Sequence, residues 1–299
     1  MNLTMLLDMA ADGFGDRVVV GTSSAGLTAE QLRERAGVAA QQVVDSGADA
    51  IVYLAVNGPA LPVALFAAAR AGVPLVPVNY RLGAEQLDAL LANHPKAFGV
   101  ASDGDESAAL RRAGIASVTP EDWLASLAAS APTELDAQDD DTPAVIIYTS
   151  GTTSAPKGVL LRHSNLVSYV FGAVEFACAA EDDAALVSVP PYHIAAIANV
   201  ISNLYAGRRT LVLEQFTPAQ WLEHVEAEGI TNALVVPTML ARILDGLTDQ
   251  KVPSLRTLAY GGAPMPATVV EKALRSWPHV DFVNAYGLTE TSSTVAVLG

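Results

Sequence analysis

Hydroxyl, glycine and lysine residues are concentrated in one short stretch of the sequence, Tyr148–Gly158. It follows the apolar run Ala144–Ile147, which is typical of a buried strand, and precedes the apolar run Val159–Leu161. Backbone N–H groups, hydroxyls and an ammonium in one turn suit an anion with several oxygens, such as a polyphosphate. The same composition also occurs in ordinary turns, so the stretch alone leaves both interpretations open. Its candidate anion ligands are Thr149, Ser150, Thr152, Thr153, Ser154 and Lys157, with Gly151 and Gly158.

Three other segments rich in glycine, proline or hydroxyl residues also follow predicted strands. They are Pro190–His193, Gly261–Pro264 and Tyr286–Thr291, and we expect all three to be irregular in structure. In open parallel sheets, ligands bind in the crevice outside the carboxyl ends of the strands. We therefore expect these segments and Tyr148–Gly158 to face one crevice.

The elements that must position these segments alternate between strands and helices. Predicted strands such as Ile51–Val56 and Pro74–Val78 are apolar throughout, which is typical of parallel strands covered on both faces. The predicted fold class is therefore α/β, with two doubly wound, mostly parallel sheets packed together. We expect one large domain with subdomains over residues 1–165 and 166–299.

Some element boundaries are also predicted. Thr28 and Gln31 form a capping box at the start of a helix that runs to Gly47, and Ser164 is expected to cap another that runs to about Ala177. A strand is expected over Asp281–Asn284. Residues 132–142 are polar and acidic, and no periodicity is visible there, so they are expected to form a loop.

The composition excludes several classes of function. The net charge is −15, from 32 acidic and 17 basic residues, whereas a surface for nucleic acid or anionic lipid would need a basic face. The longest apolar candidate, residues 59–78, is interrupted by Arg70 and Gly72, which argues against a membrane span. The only cysteine, Cys178, is expected to be a buried structural thiol. A cytoplasmic protein is predicted, and a homodimer is left open.

Two common nucleotide signatures are absent from the sequence. The Walker A pattern needs a glycine before its lysine and a hydroxyl residue after it, whereas Lys157 follows Pro156 and precedes Gly158. No G-x-G-x-x-G opens a predicted helix, which removes the main support for a dinucleotide fold.

The four segments, in this order, resemble motifs of the adenylate-forming superfamily, which includes acyl-CoA and aryl-CoA synthetases. Tyr148–Gly158 resembles its phosphate loop and Pro190–His193 its acyl-pocket motif. Tyr260–Pro264 resembles its adenine-side loop and Asn284–Thr291 its second nucleotide motif. Because residues 66–79 are similar to the family as well, the resemblance spans nearly the whole chain.

The resemblance implies ATP, Mg²⁺ and CoA as ligands, and a role for each matching residue. Thr149, Ser150, Thr152, Thr153 and Lys157 would hold the β- and γ-phosphates, and Gly151 and Gly158 would permit close backbone approach. Thr289 would bind the α-phosphate and Glu290 would ligate Mg²⁺. Tyr286 would stack on adenine, with Ala263 on its other face and Asn284 at its amino edge. The implied nucleotide site also includes Gly262, Pro264, Ala285 and Gly287.

The implied reaction converts a carboxylic acid to an acyl-adenylate and then to a CoA thioester. His193 would lie near the reacting carboxylate. No acidic residue lies in 190–196, so an amino-acid substrate would find no counter-charge for its ammonium, and a fatty, aryl or alicyclic acid is expected. The expected pocket is apolar and is formed by Tyr192, His193, Ile194, Ala195, Ile197, Val236, Gly261 and Gly287.

The chain departs from the family pattern in three ways. Ser154 stands where the family usually has glycine, which restricts the backbone if φ is positive there, and Ala196 replaces a common glycine after the histidine. No residue matches the family's ribose aspartate, hinge, catalytic lysine or small C-terminal domain, which would follow Gly299. We therefore expect a partial large domain that is incomplete for catalysis. The alternative is an inactive member of the same fold that binds a nucleotide or a partner.

Overall fold

The computed structural model describes residues 1–131, 142–149, 157–246 and 251–298. Nearly all of the predicted acidic loop, residues 132–141, lies outside the described residues. So do Ser150, Gly151, Thr152, Thr153 and Ser154 of the predicted phosphate loop.

Eleven α-helices occur in the described parts of the chain, and most of them alternate with strands. They are α1 (Thr4–Phe14), α2 (Ala29–Ser46), α3 (Ala60–Ala71), α4 (Ala84–Leu91), α5 (Asp105–Arg112), α6 (Pro120–Ala128), α7 (His163–Ala173), α8 (Ile194–Ala206), α9 (Pro218–Ala227), α10 (Pro237–Asp245) and α11 (Ala267–Ser276).

The strands form two sheets. The eight-stranded sheet has the order β14-β13-β12-β11-β9-β10-β1-β2, and the six-stranded sheet has the order β6-β5-β3-β4-β7-β8. The strands are β1 (Val18–Val20), β2 (Leu27–Thr28), β3 (Ile51–Leu54), β4 (Leu75–Pro77), β5 (Phe98–Ala101), β6 (Ser117–Val118), β7 (Pro143–Thr149), β8 (Lys157–Arg162), β9 (Ala184–Val187), β10 (Arg209–Val212), β11 (Asn232–Val235), β12 (Thr257–Gly261), β13 (Asp281–Leu288) and β14 (Ser293–Leu298).

The predicted fold class is confirmed, because both sheets are mostly parallel and are covered by helices. The antiparallel pairs are β1–β2, β7–β8 and β13–β14, each of which lies at the end of a sheet. β1 and β2 come from the first thirty residues yet join the sheet that is otherwise built after residue 180. The division into 1–165 and 166–299 stays a prediction.

Buried side chains form one large cluster and smaller ones around it. The large cluster joins α1, α2, α3, α7 and α8 to strands of the six-stranded sheet. A second cluster packs α9, α10 and α11 on the eight-stranded sheet, and a third packs α4 and α5 on the six-stranded sheet. Among the described residues, no helix combines the length and the apolar character needed to cross a bilayer.

The sequence predicted the start of a helix correctly where a side chain caps the first turn of that helix. The capping box is confirmed: the Thr28 hydroxyl accepts from the Gln31 N–H at 3.2 Å, and the Thr28 N–H donates to Gln31 Oε1 at 3.1 Å. Gly47 then ends α2 with a positive φ of 67°. The prediction for Ser164 is wrong, because α7 is capped at Arg162, whose N–H donates to Asn165 Oδ1.

Cys178 also differs from expectation. α7 ends at Ala173, four residues earlier than predicted, and the following turn places the cysteine side chain in solvent. Ala177 has a φ of 53°, which breaks the helical pattern on which the prediction of a buried thiol rested.

One buried hydrogen bond joins the two sheets at the carboxyl ends of their strands. Asn57 follows β3 of the six-stranded sheet, and its Nδ2 donates to the carbonyl of Val189, which follows β9 of the eight-stranded sheet, at 2.7 Å. Asn57 is only 2% exposed. The bond therefore fixes the spacing of the two sheets at the edge where ligands are expected.

Replacing Asn57 should destabilise the fold. Asn57→Ala leaves the buried Val189 carbonyl without its donor and should lower the free energy of unfolding by about 1–3 kcal/mol. Asn57→Asp should cost more, because it brings a buried carboxylate against that carbonyl. Denaturant unfolding measures both variants, with the exposed Asn93→Ala as the control, expected to stay within about 0.5 kcal/mol. If Asn57→Asp matched the control, the assigned role of the bond would be wrong.

Candidate functional site

A cleft of about 1670 Å³ opens where the carboxyl ends of the two sets of strands meet. It brings together most of the predicted segments, as the parallel topology requires. The predicted site residues that line it are Thr149, Tyr192, His193, Ile194, Ala195, Val236, Gly261, Gly262, Ala285, Gly287, Thr289 and Glu290.

Other predicted site residues lie elsewhere. Ile197 is completely buried in the core, so its side chain faces away from the cleft. Tyr286 is 61% exposed on β13. Among the described residues, the predicted positions that do not line the cleft are Lys157, Gly158, Ala263, Pro264, Asn284, Tyr286 and Ile197.

The two ends of the predicted phosphate loop are strands, which pair with each other in an antiparallel hairpin. Thr149, the last residue of β7, is opposite Lys157, the first residue of β8, and Tyr148 is opposite Gly158. The Tyr148 hydroxyl also lies 2.9 Å from His94 Nε2. The pairing places Thr149 and Lys157 directly opposite each other at the ends of their strands.

The second nucleotide segment is more regular than predicted. β13 extends to Leu288 instead of ending at Asn284, because Tyr286 pairs with Ala296 and Leu288 with Ser293 of β14. Thr289–Thr291 then forms a 3₁₀ turn, whose Thr291 hydroxyl accepts from the Leu288 N–H at 3.0 Å. The sequence does not reveal the extension, because β14 can be recognised as a partner only in the fold.

This 3₁₀ turn packs against β8, the strand that starts with Lys157. Thr289 is half-buried in the turn and the Glu290 carboxylate is exposed. A hydroxyl and a carboxylate thus line one end of the cleft, and the turn that carries them packs against the strand that starts with Lys157. Hard oxygen donors of this kind fit Mg²⁺, which is commonly held by one or two carboxylates together with substrate phosphates. No group of three His, Cys, Asp or Glu that could hold a metal occurs in the described residues.

The cleft floor next to this turn is built from residues with little or no side chain. Gly261, the last residue of β12, is in register with Ala285 of β13. A Cβ at Gly261 would lie 2.2 Å from the Ala285 carbonyl oxygen, so the two strands approach more closely than a side chain allows. Gly262 has a φ of 80°, a conformation that favours glycine. This floor suits a flat ligand.

His193 caps the start of α8 at the mouth of the cleft and is the end of a chain of ring contacts. Its ring centroid is 4.7 Å from that of Tyr192, and Tyr192 meets Tyr80 edge-on at 5.4 Å. The Arg81 guanidinium lies over the Tyr80 ring, 5.6 Å from its centroid. These contacts span the gap between the sheets, since Tyr80 follows β4 and Tyr192 follows β9.

The sequence analysis missed Tyr80, Arg81 and Asn57, although all three line the cleft. The signal for them was present: each follows a predicted apolar strand, at the same edge as the segments that were identified. The feature that marked the other strand ends as candidate ligand sites was a stretch rich in glycine, proline or hydroxyl residues, and Tyr80 and Arg81 do not belong to such a stretch.

The surroundings favour a neutral His193. The ring is exposed at the cleft surface, yet the concave wall around it still lowers the pKa of His193 through desolvation, and the nearby charge of Arg81 lowers it further. Because the unfolded chain binds more protons, this histidine contributes stability that is present above about pH 6.5 and is lost as the pH falls. His94 is shifted in the same direction, mainly by burial.

Addition of a methyl group at Gly261 should disrupt the cleft floor. Gly261→Ala places a Cβ against the backbone of β13 and should lower the free energy of unfolding by about 1–3 kcal/mol or more. Gly172→Ala is the matched control: Gly172 also lines the cleft but has open space where its Cβ would lie, and alanine favours its helix. Thermal unfolding compares the two. Equal stability of both variants would contradict the close approach.

Removal of the Arg81 charge should raise the pKa of His193. In Arg81→Gln the rise should be only partial, because desolvation is the larger cause and remains. An NMR titration of the His193 ring measures it, with Arg111→Gln, exposed on α5, as the control. A pKa that stays constant or falls in Arg81→Gln would show that Arg81 does not act on this ring.

Comparison with known sequences finds relatives among acid–thiol ligases. The chain is 35% identical over 269 residues to a feruloyl-CoA synthase of Amycolatopsis sp, covering 84% of this chain and 51% of that protein. It is 31% identical over 293 residues to the fatty acid–[acyl-carrier-protein] ligase ScoC of Streptomyces coeruleorubidus, covering 91% of this chain and 55% of that protein. The chain therefore spans about half the length of the curated relatives it matches.

The fold agrees with solved structures. The N-terminal domain of FACL13 from Mycobacterium tuberculosis matches with a TM-score of 0.86 at 24% identity, over 99% of this chain and 78% of that one. O-succinylbenzoate CoA synthetase from Bacillus subtilis, in complex with AMP, matches with a TM-score of 0.83 over 98% of this chain. The profile of the AMP-binding enzymes matches residues 7–298, and the chain belongs to that family.

Proposed function

We propose that the protein activates a carboxylic acid with ATP and passes the acyl group to the thiol of CoA. The observation that carries this proposal is the convergence of three groups on one cleft: Thr149 at the end of β7, the Thr289–Glu290 turn and the His193 mouth. Lys157 is the strand partner of Thr149 and lies just outside the cleft lining. These groups provide donors for a polyphosphate, a carboxylate for a metal ion and an entrance for an acid.

In the first step a carboxylate oxygen of the acid attacks the α-phosphorus of ATP. The bond from that phosphorus to the bridging oxygen breaks, so pyrophosphate leaves and an acyl-adenylate forms. In the second step the CoA sulfur attacks the acyl carbon, AMP leaves with the bonding electrons and the thiol proton is released. Both steps depend on positioning and on charge neutralisation, which fixed donors supply.

Each group of the cleft has a role in the first step. The Lys157 ammonium and the Thr149 hydroxyl would neutralise and orient the leaving pyrophosphate. Thr289 would donate to the α-phosphate, and Glu290 would hold Mg²⁺, which would supply positive charge to neutralise the phosphates. A neutral His193 would line the path of the attacking carboxylate without pairing with it as a cation. The flat Gly261–Ala285 floor would lie under adenine or the acyl group.

Two arguments support an acid without an α-amino group. The segment 190–196 offers no carboxylate to an ammonium. The relatives are named for feruloyl, fatty acid and 2-succinylbenzoate substrates, none of which is an amino acid. Transfer to CoA rests on the names of the feruloyl-CoA synthase and the 2-succinylbenzoate–CoA ligase, whereas ScoC is named for transfer to an acyl-carrier protein. No described residue has been assigned to the thiol. The cytoplasmic location and a homodimer stay predictions from the sequence.

ATP–pyrophosphate exchange on the full encoded protein tests the first step. Exchange should require Mg²⁺ and a hydrophobic or aryl acid, and Lys157→Ala and Glu290→Gln should each reduce it by about a hundredfold or more. Glu271→Gln on the exposed face of α11 is the control and should leave the rate unchanged.

Two other outcomes have distinct meanings. If ATP or AMP binds but no acid supports exchange, the protein is a nucleotide-binding member of the family that lacks catalysis. If neither nucleotide binds while Lys157 and Glu290 are intact, the proposed site itself is wrong.

A further inference from the structure

One wall of the cleft is helix α8, which has two contrasting faces. Ile197, Ile201 and Leu204 belong to the core. On the opposite face, Ala195, Asn199 and Ser202 recur at helical spacing and line the cleft. Because α8 connects the parallel strands β9 and β10, it runs antiparallel to the strands, from the cleft mouth toward their amino ends.

The facing floor consists of three rows of side chains that cross β11, β12 and β13 in register. The row at the mouth is Gly261 and Ala285, and the middle row is Leu234, Ala259 and Val283. The innermost row that lines the cleft is Asn232 and Thr257. We call the space between this floor and the polar face of α8 the acid slot.

The slot therefore changes character with depth, and both walls change together. Four residues of extended strand separate Gly261 from Thr257, a distance of about 13 Å. Along α8, Asn199 lies about 9 Å and Ser202 about 13 Å from His193 at the mouth. Polar groups thus occur at matching depth on both walls, beyond a stretch floored by aliphatic side chains.

The inner end of the slot offers unused hydrogen-bond donors. The Ser202 hydroxyl and Arg208 Nε are buried and have no partner within the described residues. Arg208, which follows α8, also donates through Nη1 to Asn203 Oδ1 at 2.9 Å, and all three residues line the cleft. A buried hydrogen-bond donor without a partner costs free energy, so a ligand that accepts hydrogen bonds from these donors would gain affinity.

The charge at this end favours an anion. The carboxylate of Asp183 pairs with Arg256 at 2.7 Å and acts on Arg208 as well, so Arg208 shares this acid with a second guanidinium. Burial lowers the pKa of Arg208, and a bound carboxylate would oppose that effect. Donors and charge together suit an acceptor with two oxygens.

We propose that the acid slot takes a carboxylic acid with a second carboxylate at its far end, bound by Ser202 and Arg208. This inference rests on the proposed function, because it assumes that the reacting carboxylate lies at His193. The two carboxylates would be about 13 Å apart, joined by an apolar chain. An extended chain advances about 3.5 Å for every three bonds, so the nine bonds between the carboxyl carbons of decanedioic acid span about 11 Å. The outer oxygens extend each end by about 1 Å more, which gives a total reach of about 13 Å.

Direct binding of two matched acids tests the proposal. Calorimetric titration should show that decanedioic acid binds at least about tenfold more tightly than decanoic acid, because charge-assisted hydrogen bonds replace unpaired donors. The terminal hydroxy acid of the same length should fall between them. Equal affinities, or tighter binding of decanoic acid, would overturn the proposal.

Variants test which residues cause the preference for decanedioic acid over decanoic acid. Arg208→Gln and Ser202→Ala should each reduce the ratio of the two affinities several-fold, while leaving decanoic acid binding nearly constant. Arg208→Lys, which keeps the charge, should retain more of the ratio than Arg208→Gln. Arg242→Gln is the control, since Arg242 also lines the cleft but lies over Phe216 near the mouth. If only Arg242→Gln removed the preference for decanedioic acid, the second carboxylate would bind near the mouth and not at Ser202 and Arg208. That result would overturn the proposal.

Failure of the second-carboxylate proposal can be distinguished from failure of the proposed function. Exchange of ATP and pyrophosphate with decanoic acid as readily as with decanedioic acid would keep the proposed function and reject the second carboxylate. Preferential binding of decanedioic acid without any exchange would keep the acid slot and reject the activation reaction.

Discussion

The arrangement of the site depends on one constraint, which is that parallel strands must be joined by crossovers that return the chain to the same edge. Several parallel strands of both sheets end at the cleft, so the segments after β3, β4, β9, β10 and β12 meet there, together with Thr149 at the end of β7. The Asn57–Val189 hydrogen bond and the contact between Tyr80 and Tyr192 then join the two sheets at this edge. A shift of either sheet would therefore break a buried polar contact as well as change the width of the cleft.

Features that depend on neighbouring residues were predictable from the sequence. Apolar strands and the capping box at Thr28 follow from side-chain type and spacing within a few residues. Features that depend on distant partners were not. The extension of β13 needs β14, and the entry of β1 into the eight-stranded sheet needs β10, about 190 residues later. A single sequence contains no signal for such pairings.

The interior of the cleft shows the same limit at the level of side chains. An apolar pocket was expected from Ile194, Ile197 and Val236, yet Ile197 belongs to the core and polar residues line the inner end. Asn232 and Thr257 reach that end because each starts its strand and points to the same face as the floor residues after it. Sequence reasoning could place them on strands, but which face of each strand is the open one is decided only by how helices pack.

The two ends of the cleft differ in how exposed their charged and hydrogen-bonding groups are. The protein carries a net charge of −15, so under the proposed function long-range attraction would not gather a polyphosphate, and short-range donors such as Lys157 and the hydroxyl of Thr289 would have to do so. Glu290 is exposed, which would leave it open to a metal ion that arrives with phosphate oxygens. At the inner end, by contrast, the Ser202 hydroxyl and Arg208 Nε are buried, and a buried donor or charge has a larger energetic effect than an exposed one. If the proposed function is right, selectivity for the acid would therefore arise at the inner end, whereas the open end would recognise the nucleotide.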